Sequence, residues 1–173
     1  MRWLKLKTRG AGEIHFRLRG YDLHRNRYGD TWCVVDLILQ DLNYSLRDDE
    51  ALEIPEVIRL EKLIDAALAG EVEDRAFVGT TEPYMEFDFQ SYWDDVQRKQ
   101  IFYMEWEVML WNGWPNTTHE IGDESGSRII IGLYEDEMRL LSTYLKFARK
   151  EIKEDEPEIV RLIESGILYN EEP

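Results

Sequence analysis

The residues best suited to binding or chemistry in this sequence are aromatic side chains crowded into one acidic stretch. The aromatic residues are Tyr92, Trp93, Tyr103, Trp106, Trp111 and Trp114. The acidic residues that flank them are Asp94, Asp95, Glu105 and Glu107. Tryptophan and tyrosine bury a large area at low conformational cost, so they anchor protein interfaces, stack on sugars or fill cores. The sequence leaves these three interpretations of the cluster open.

Nucleophilic chemistry is poorly supported by the sequence. Cys33 is the single cysteine, and it lies within the nearly apolar stretch 31–39. A reactive thiolate requires a polar, partly exposed setting, so we expect Cys33 to be a buried structural residue. The histidines, His15, His24 and His119, are too far apart to predict a catalytic or metal-binding arrangement. No glycine-rich phosphate-binding motif is present either, and we expect no cofactor.

Carboxylates on predicted strands offer one route to acid–base catalysis. Glu82, Glu105 and Glu107 lie on or beside strands that could hold them rigidly. Glycoside cleavage requires two carboxyl groups roughly 5 to 9.5 Å apart, a distance that sequence does not supply. Alternating glutamates on a strand usually form a solvated face instead. We therefore expect no catalytic residue, and the acidic run 48–50 lacks the framework of a calcium loop, so we expect no metal site.

Composition limits the class of protein further. The 173 residues include 36 acidic and 21 basic side chains, for a formal net charge of −15. This balance argues against nucleic-acid binding, which normally requires a basic face. A hydrophobic content of 43% is too high for a disordered acidic chain. We expect a single domain over residues 1–173 in the cytoplasm, since neither a signal peptide nor a membrane-spanning run is visible.

The charge is unevenly distributed along the chain. Residues 1–28 carry eight basic side chains and two acidic ones, whereas the remainder is strongly acidic. The basic residues follow two alternating strand patterns rather than a solid block. They either lie beside acidic elements of the same fold or form a second contact surface.

Hydrophobic periodicity predicts an α+β fold. A period of two predicts strands, and spacings of three and four predict helices. Strands are predicted at residues 3–7, 13–19, 31–39, 76–78, 84–89, 101–111 and 128–133. Helices are predicted at residues 56–68, 135–152 and 157–166. Because the strands largely follow one another, we expect a mostly antiparallel β-sheet with one mid-chain helix and two C-terminal helices packed on one face.

This layout resembles the WapI-like immunity proteins. The two most distinctive features are Trp32 at the head of one strand and Glu82-Pro83 at the head of another. The segments that carry the resemblance are 14–21, 30–37, 56–68, 82–89 and 135–141.

The resemblance covers residues 13–152, so that residues 153–173 would be a C-terminal helical extension. It implies a small bacterial cytosolic protein that neutralises the toxin domain of a contact-dependent competition system. It implies no catalytic residues.

Together these observations predict a non-enzymatic acidic binding protein that occludes a cognate toxin domain. An acidic surface can occupy the basic cleft that a toxin acting on nucleic acid requires. The alternative is a small-molecule or carbohydrate-binding domain that uses the same aromatic residues. An exposed sheet edge could also support a homodimer. The predicted contact residues lie in and around the loops that flank strand 101–111: Trp93, Asp94, Asp95, Trp111, Trp114, Asp123 and Glu124.

Overall fold

A computed structural model describes residues 1–8, 12–20, 32–72, 75–81, 85–109 and 128–173. Within these ranges the strands are β1 (Trp3–Thr8), β2 (Gly12–Arg19), β3 (Trp32–Leu39), β4 (Tyr44–Glu53), β5 (Arg75–Gly79), β6 (Met85–Asp94), β7 (Lys99–Met109), β8 (Arg128–Leu133) and β9 (Leu168–Tyr169). The helices are α1 (Ile54–Leu68), α2 (Glu135–Ala148) and α3 (Pro157–Glu164), and a turn of 3-10 helix spans Gln40–Leu42. None of these helices is long and apolar enough to cross a lipid bilayer.

The strands of the described residues form two antiparallel sheets. The five-stranded sheet has the order β4-β3-β2-β1-β9, and the four-stranded sheet has the order β5-β6-β7-β8. The predicted α+β class, mostly antiparallel sheet with a mid-chain helix and two C-terminal helices, is confirmed. The division into two sheets was not predicted, because strand patterns reveal faces but not neighbours.

The alternating patterns place one face of each strand in the core. In β2, Ile14, Phe16 and Leu18 are buried. The intervening His15, Arg17 and Arg19 lie on the opposite face, because successive side chains of a strand point to opposite sides. The five-stranded sheet therefore has an apolar inner face and a polar outer face.

The start of α1 is held by a buried carboxylate. Glu56 is only 1% exposed, and one of its oxygens accepts a hydrogen bond from the Glu53 backbone N–H at 2.8 Å. Its other oxygen accepts from the Thr81 backbone N–H and from the Thr81 hydroxyl, the latter at 2.8 Å. Pro55 occupies the first turn, where its missing N–H has no intrahelical acceptor to lose. These bonds attach the helix start to the segment before β6.

Aromatic contacts join the two sheets and α2 into one core. Phe16 of β2 packs edge-on against Trp106 of β7, with ring centroids 5.3 Å apart. Phe16 also contacts Tyr144 of α2 at 5.7 Å. All three side chains are at most 2% exposed. The inner faces of both sheets are therefore used in packing within the part of the chain that the structure describes.

Two strands were missed in the sequence and one helix was predicted too long. The strand β4 carries charged residues on an irregular pattern, and its pairing with β3 shifts register near Val35. The strand β9 has only two residues, too few to show a period. The helix α2 ends at Ala148 rather than at residue 152, and Lys150 follows with a φ of 62°, which ends the helix.

Several basic residues of the first two strands pair with acids of the same fold. Arg2 contacts Glu154 at 2.6 Å, and both Arg17 and Arg19 contact Asp36 at 2.8 Å. These pairs support the interpretation that the basic strands lie beside acidic elements. Arg9, Arg25 and Arg27 fall outside the described residues.

We expect replacement of Tyr144 by phenylalanine to destabilise the core. The Tyr144 hydroxyl accepts a hydrogen bond from the Leu18 N–H at 2.9 Å and donates one to the Arg2 carbonyl at 3.0 Å. Its loss leaves two backbone groups without a partner, which costs about 1 to 3 kcal/mol. Urea denaturation measures this change. Tyr92→Phe is the matched control, because Tyr92 is 45% exposed, and an equal loss in both variants would contradict the prediction.

Candidate functional site

The outer face of the four-stranded sheet carries four carboxylates on adjacent strands. Glu86 lies opposite Glu107, and Asp88 lies opposite Glu105, across the β6–β7 pair. Like charges directly opposite each other on neighbouring strands destabilise a sheet. We call this surface, formed by Glu86, Asp88, Glu105 and Glu107, the acidic face.

Two arginines neutralise part of the acidic face. Arg75 of β5 binds Asp88 through its Nε, which lies 2.9 Å from each carboxylate oxygen. Arg128 of β8 binds Glu107 at 2.7 Å. Both arginines lie on the rim, since β5 and β8 are the edge strands. The centre of the face keeps its negative charge.

The hydrogen bonds at the centre involve neutral groups. The Gln90 amide donates to Glu105 at 3.3 Å, and the Tyr103 hydroxyl donates to the Gln90 side-chain oxygen at 2.7 Å. Partial burial, followed by the nearby Glu105 carboxylate, raises the pKa of Tyr103. The tyrosine therefore stays protonated at neutral pH and remains a hydrogen-bond donor.

Exposed apolar side chains border the acidic face. Phe77 of β5 lies opposite Asp88 and is 55% exposed, and Ile130 of β8 lies opposite Glu107 and is 53% exposed. Singly exposed apolar side chains are common on protein surfaces, and these two lie on the opposite edge strands of the sheet. The face therefore combines negative charge with two apolar contact points.

The β6–β7 hairpin extends this surface beyond the core. Tyr92 is 45% exposed and Trp93 is 56% exposed at the end of β6. Asp95 is also exposed, in the turn that follows. The Asp94 carboxylate accepts hydrogen bonds from the backbone N–H groups of Val96 and Gln97, at 2.8 and 3.0 Å. Asp94 thus shapes the turn, and its charge remains at the tip.

The structure divides the aromatic cluster. Trp106 is buried, so for this residue the core interpretation is correct. Tyr92 and Trp93 are exposed, and Tyr103 is partly exposed on the outer face. Of the predicted contact residues, Trp93, Asp94 and Asp95 lie together at the hairpin. The others lie outside the described residues: Trp111, Trp114, Asp123 and Glu124.

A crevice of about 340 Å³ lies between the hairpin and the start of α2. Its aromatic lining comes from Tyr92, Phe102 and Tyr134, and its acidic lining includes Asp94 and Glu135. Aromatic rings beside convergent polar groups are the components of a small-ligand site. Its negative charge favours cationic or polyhydroxylated ligands over anionic ones.

The sequence did not predict that the four carboxylates of the acidic face lie together on one surface. The alternation of 84–89 places Glu86 and Asp88 on one face, and that of 101–111 does the same for Glu105 and Glu107. The register that brings the two pairs opposite each other is a long-range property, and no local signal reports it. Glu82, the third carboxylate considered for catalysis, lies outside the described residues.

Cys33, the potential nucleophile, and His15, a potential base, are both buried. Cys33 is fully buried, and this burial, followed by the nearby Glu56 carboxylate, raises the pKa of its thiol to about 12. His15 is 6% exposed, with its Nδ1 against the Tyr169 hydroxyl and its Nε2 3.1 Å from Glu13. The two remaining histidines, His24 and His119, lie outside the described residues.

In the part of the chain that the structure describes, no group of three or more histidine, cysteine or acidic side chains is arranged to hold a metal ion. Comparison with protein families, with curated proteins and with solved structures finds no match to this chain. The geometry of the surface and the resemblance noted above are therefore the basis for a functional proposal.

We expect Cys33 to resist alkylation in the folded protein. With a pKa of about 12 and no exposed surface, the thiol forms almost no accessible thiolate at pH 8. Iodoacetamide should therefore label the native protein many times more slowly than the urea-unfolded protein, as measured by intact mass. Rapid stoichiometric labelling of the native protein would contradict the burial of this residue.

We expect Glu86→Lys to stabilise the protein although it removes a surface carboxylate. Lysine at this position faces Glu107, so a repulsive cross-strand pair becomes attractive. The gain is about 0.5 to 1 kcal/mol in the free energy of unfolding, measured by urea denaturation at low salt. Glu71→Lys changes the net charge equally at an exposed site outside the sheets and separates the local effect from the global one. Destabilisation by Glu86→Lys alone would contradict the prediction.

Proposed function

We propose that this protein is a non-enzymatic immunity protein that neutralises a bacterial toxin domain by covering it with the acidic face. The observation that carries the proposal is the two pairs of carboxylates that lie opposite each other, Glu86 with Glu107 and Asp88 with Glu105. Arg75 and Arg128 offset part of the repulsion by binding one carboxylate of each pair, and the like-charge contacts that remain are of a kind that occurs chiefly at functional sites. A basic partner would relieve the repulsion on binding.

The neighbouring residues suit such an interface. Phe77, Ile130 and Tyr92 supply apolar and aromatic contacts around the charged centre. Aromatic anchors of this kind contribute much of the binding energy in protein interfaces. Asp95 adds an exposed carboxylate in the turn of the hairpin, whereas Trp93 follows Tyr92 in β6 and points to the opposite side of the strand.

The overall charge supports fast association. A net charge of −15 steers a basic protein toward the surface and raises the association rate at low salt. Toxins that attack nucleic acid require basic clefts, and a surface rich in carboxylates is complementary in charge to such a cleft. The resemblance to WapI-like immunity proteins supports the same role, and with it a location in the bacterial cytoplasm, where such a toxin would arrive.

A second candidate function is binding of a small molecule or carbohydrate in the crevice beside α2. The observation that favours it is the combination of Tyr92, Phe102 and Tyr134 with acidic groups around a volume of about 340 Å³. A glycan array with the purified protein tests this function. If Tyr92→Ala abolishes glycan binding and Glu86→Lys does not, the result would favour the crevice over the acidic face.

The proposed immunity function is tested by sequencing the genes next to the one for this chain and taking the toxin domain of any large secreted protein found there. Co-expression in a susceptible bacterium should restore growth, and the purified proteins should associate with a rate that falls steeply between 20 and roughly 150 mM salt. We expect Glu86→Lys combined with Glu105→Lys to slow association by about tenfold or more, because the charge of the face is reversed.

Glu71→Lys combined with Glu164→Lys is the matched control, since both residues are exposed and lie outside the sheets. It alters the net charge equally and should retain most of the association rate and the growth rescue. Failure of the wild-type protein to rescue growth would overturn the toxin assignment. Equal slowing by both double variants would show that the acidic face has no special role.

A further inference from the structure

The outer face of the five-stranded sheet carries the opposite charge to the acidic face. It is rich in basic side chains at one end of an otherwise acidic molecule. Its basic residues are Lys5, Lys7, Arg17, Arg19 and Arg47, and its acidic residues include Glu13, Asp36 and Glu172. This excess of positive charge is a separate feature from the surface proposed for toxin binding.

At the centre of this face two arginines stack on one indole ring. The guanidinium carbon of Arg17 lies 4.3 Å from the centroid of the Trp3 ring, and that of Arg47 lies 5.2 Å from it. Asp36, which is 1% exposed, holds the Arg17 Nε at 2.8 Å. Stacking and ion pairing fix the orientation of Arg17, so its remaining N–H donors are preorganised. We call Arg17 and Arg47 the arginine clamp.

Both arginines of the clamp bind the Glu172 carboxylate, which is distant in the sequence. One oxygen of Glu172 accepts from Arg17 at 2.9 Å, and the other accepts from Arg47 at 2.7 Å. The hydrogen bond from Arg47 is the largest cause of a lowered pKa at Glu172, and the charge of Arg17 adds to it. The carboxylate is therefore ionised at neutral pH, and its position is the one that an anionic ligand would take.

Trp3 and Arg17 are much more buried than the Glu172 carboxylate. Trp3 is fully buried and the Arg17 side chain is 16% exposed, whereas the Glu172 side chain is 59% exposed. Residues 171–173 are all exposed and belong to no helix or strand. The Glu172 carboxylate can therefore leave the clamp without opening the core, since no buried apolar side chain leaves with it.

A cavity of about 540 Å³ adjoins the clamp. Arg47 lines it on one side, and Pro173 lines it next to the bound Glu172. Its polar lining includes the Glu13 carboxylate, which lies 3.1 Å from the His15 Nε2, together with Gln40, Asn43 and Ser45. The volume is within the usual range for small-molecule sites.

We propose that the arginine clamp and the adjoining cavity form a binding site for a small organic anion, with Glu172 as its intramolecular substitute. A carboxylate or phosphate group of the ligand replaces the Glu172 carboxylate between Arg17 and Arg47. The polar body of the ligand then occupies the cavity beside His15. This site lies on a different sheet from the acidic face and does not depend on the proposed immunity function.

Competition with Glu172 determines the affinity that an experiment would measure. A group attached through a short segment has an effective concentration in the millimolar range or above. A free anion has to compete with Glu172 at that effective concentration. Removal of the Glu172 charge should therefore raise the apparent affinity of the clamp for the free anion by about tenfold or more. The same competition makes binding to the unaltered chain weak.

The test titrates inorganic phosphate and succinate separately into the folded protein and follows the Nε–H NMR signals of Arg17 and Arg47. In Glu172→Gln, we expect at least one of the two anions to bind about tenfold more tightly than in the wild type. Addition of Arg47→Gln to that variant should abolish the gain. A preference for phosphate would assign a phosphorylated ligand, and a preference for succinate would assign a carboxylic acid.

Glu171→Gln is the matched control, because Glu171 is exposed and neighbours Glu172 in the same segment. It should bind both anions as the wild type does. Equal binding by the wild type and Glu172→Gln would overturn the proposal, as would tight binding that survives Arg47→Gln. Arg47 and Glu172 are both partly exposed, so these variants should keep the wild-type urea midpoint within a narrow range.

Discussion

The contact of Phe16 with Trp106 and Tyr144 is the interaction on which the rest of the molecule depends. It brings one residue from each sheet and one from α2 into the same core, with ring centroids 5.3 and 5.7 Å apart. This packing buries the inner faces of both sheets. Among the described residues, the surfaces that this packing leaves accessible include the outer faces of the sheets and the β6–β7 hairpin.

The two outer faces have opposite electrostatic character. The four-stranded sheet carries opposed carboxylates, two of which pair with the rim arginines Arg75 and Arg128. The five-stranded sheet presents arginines that the fold satisfies with its own carboxylates, Asp36 and Glu172. The described residues of the first face carry more negative than positive charge, whereas Arg17, Arg19 and Arg47 on the second face pair with carboxylates of the same chain. A protein of net charge −15 can therefore contain a local site for anions, because short-range ion pairs outweigh a distant field screened over about 8 Å at physiological salt.

Much of the fold could be predicted from local patterns. The alternation in β2 and β7 correctly identified their faces, and Trp106 falls on the buried side that its neighbours Met104 and Val108 define. The helix α1 was also predicted, since its apolar spacing, Pro55 and acidic first turn agree. The failures lie where local signals conflict or are too short. The strand β4 is charged and irregular, and β9 has two residues.

The sequence by itself determined the charge balance, the burial of Cys33 and the identity of most elements, because these follow from composition and from periods of a few residues. Only the tertiary structure decided that Glu86 faces Glu107, and that Glu172 reaches Arg17 across 155 positions of the chain. Both contacts depend on strand register and on the path of the chain after α3. The strand register and the path of the chain after α3 depend on packing between segments that are far apart in the sequence. A short stretch of sequence therefore does not determine them.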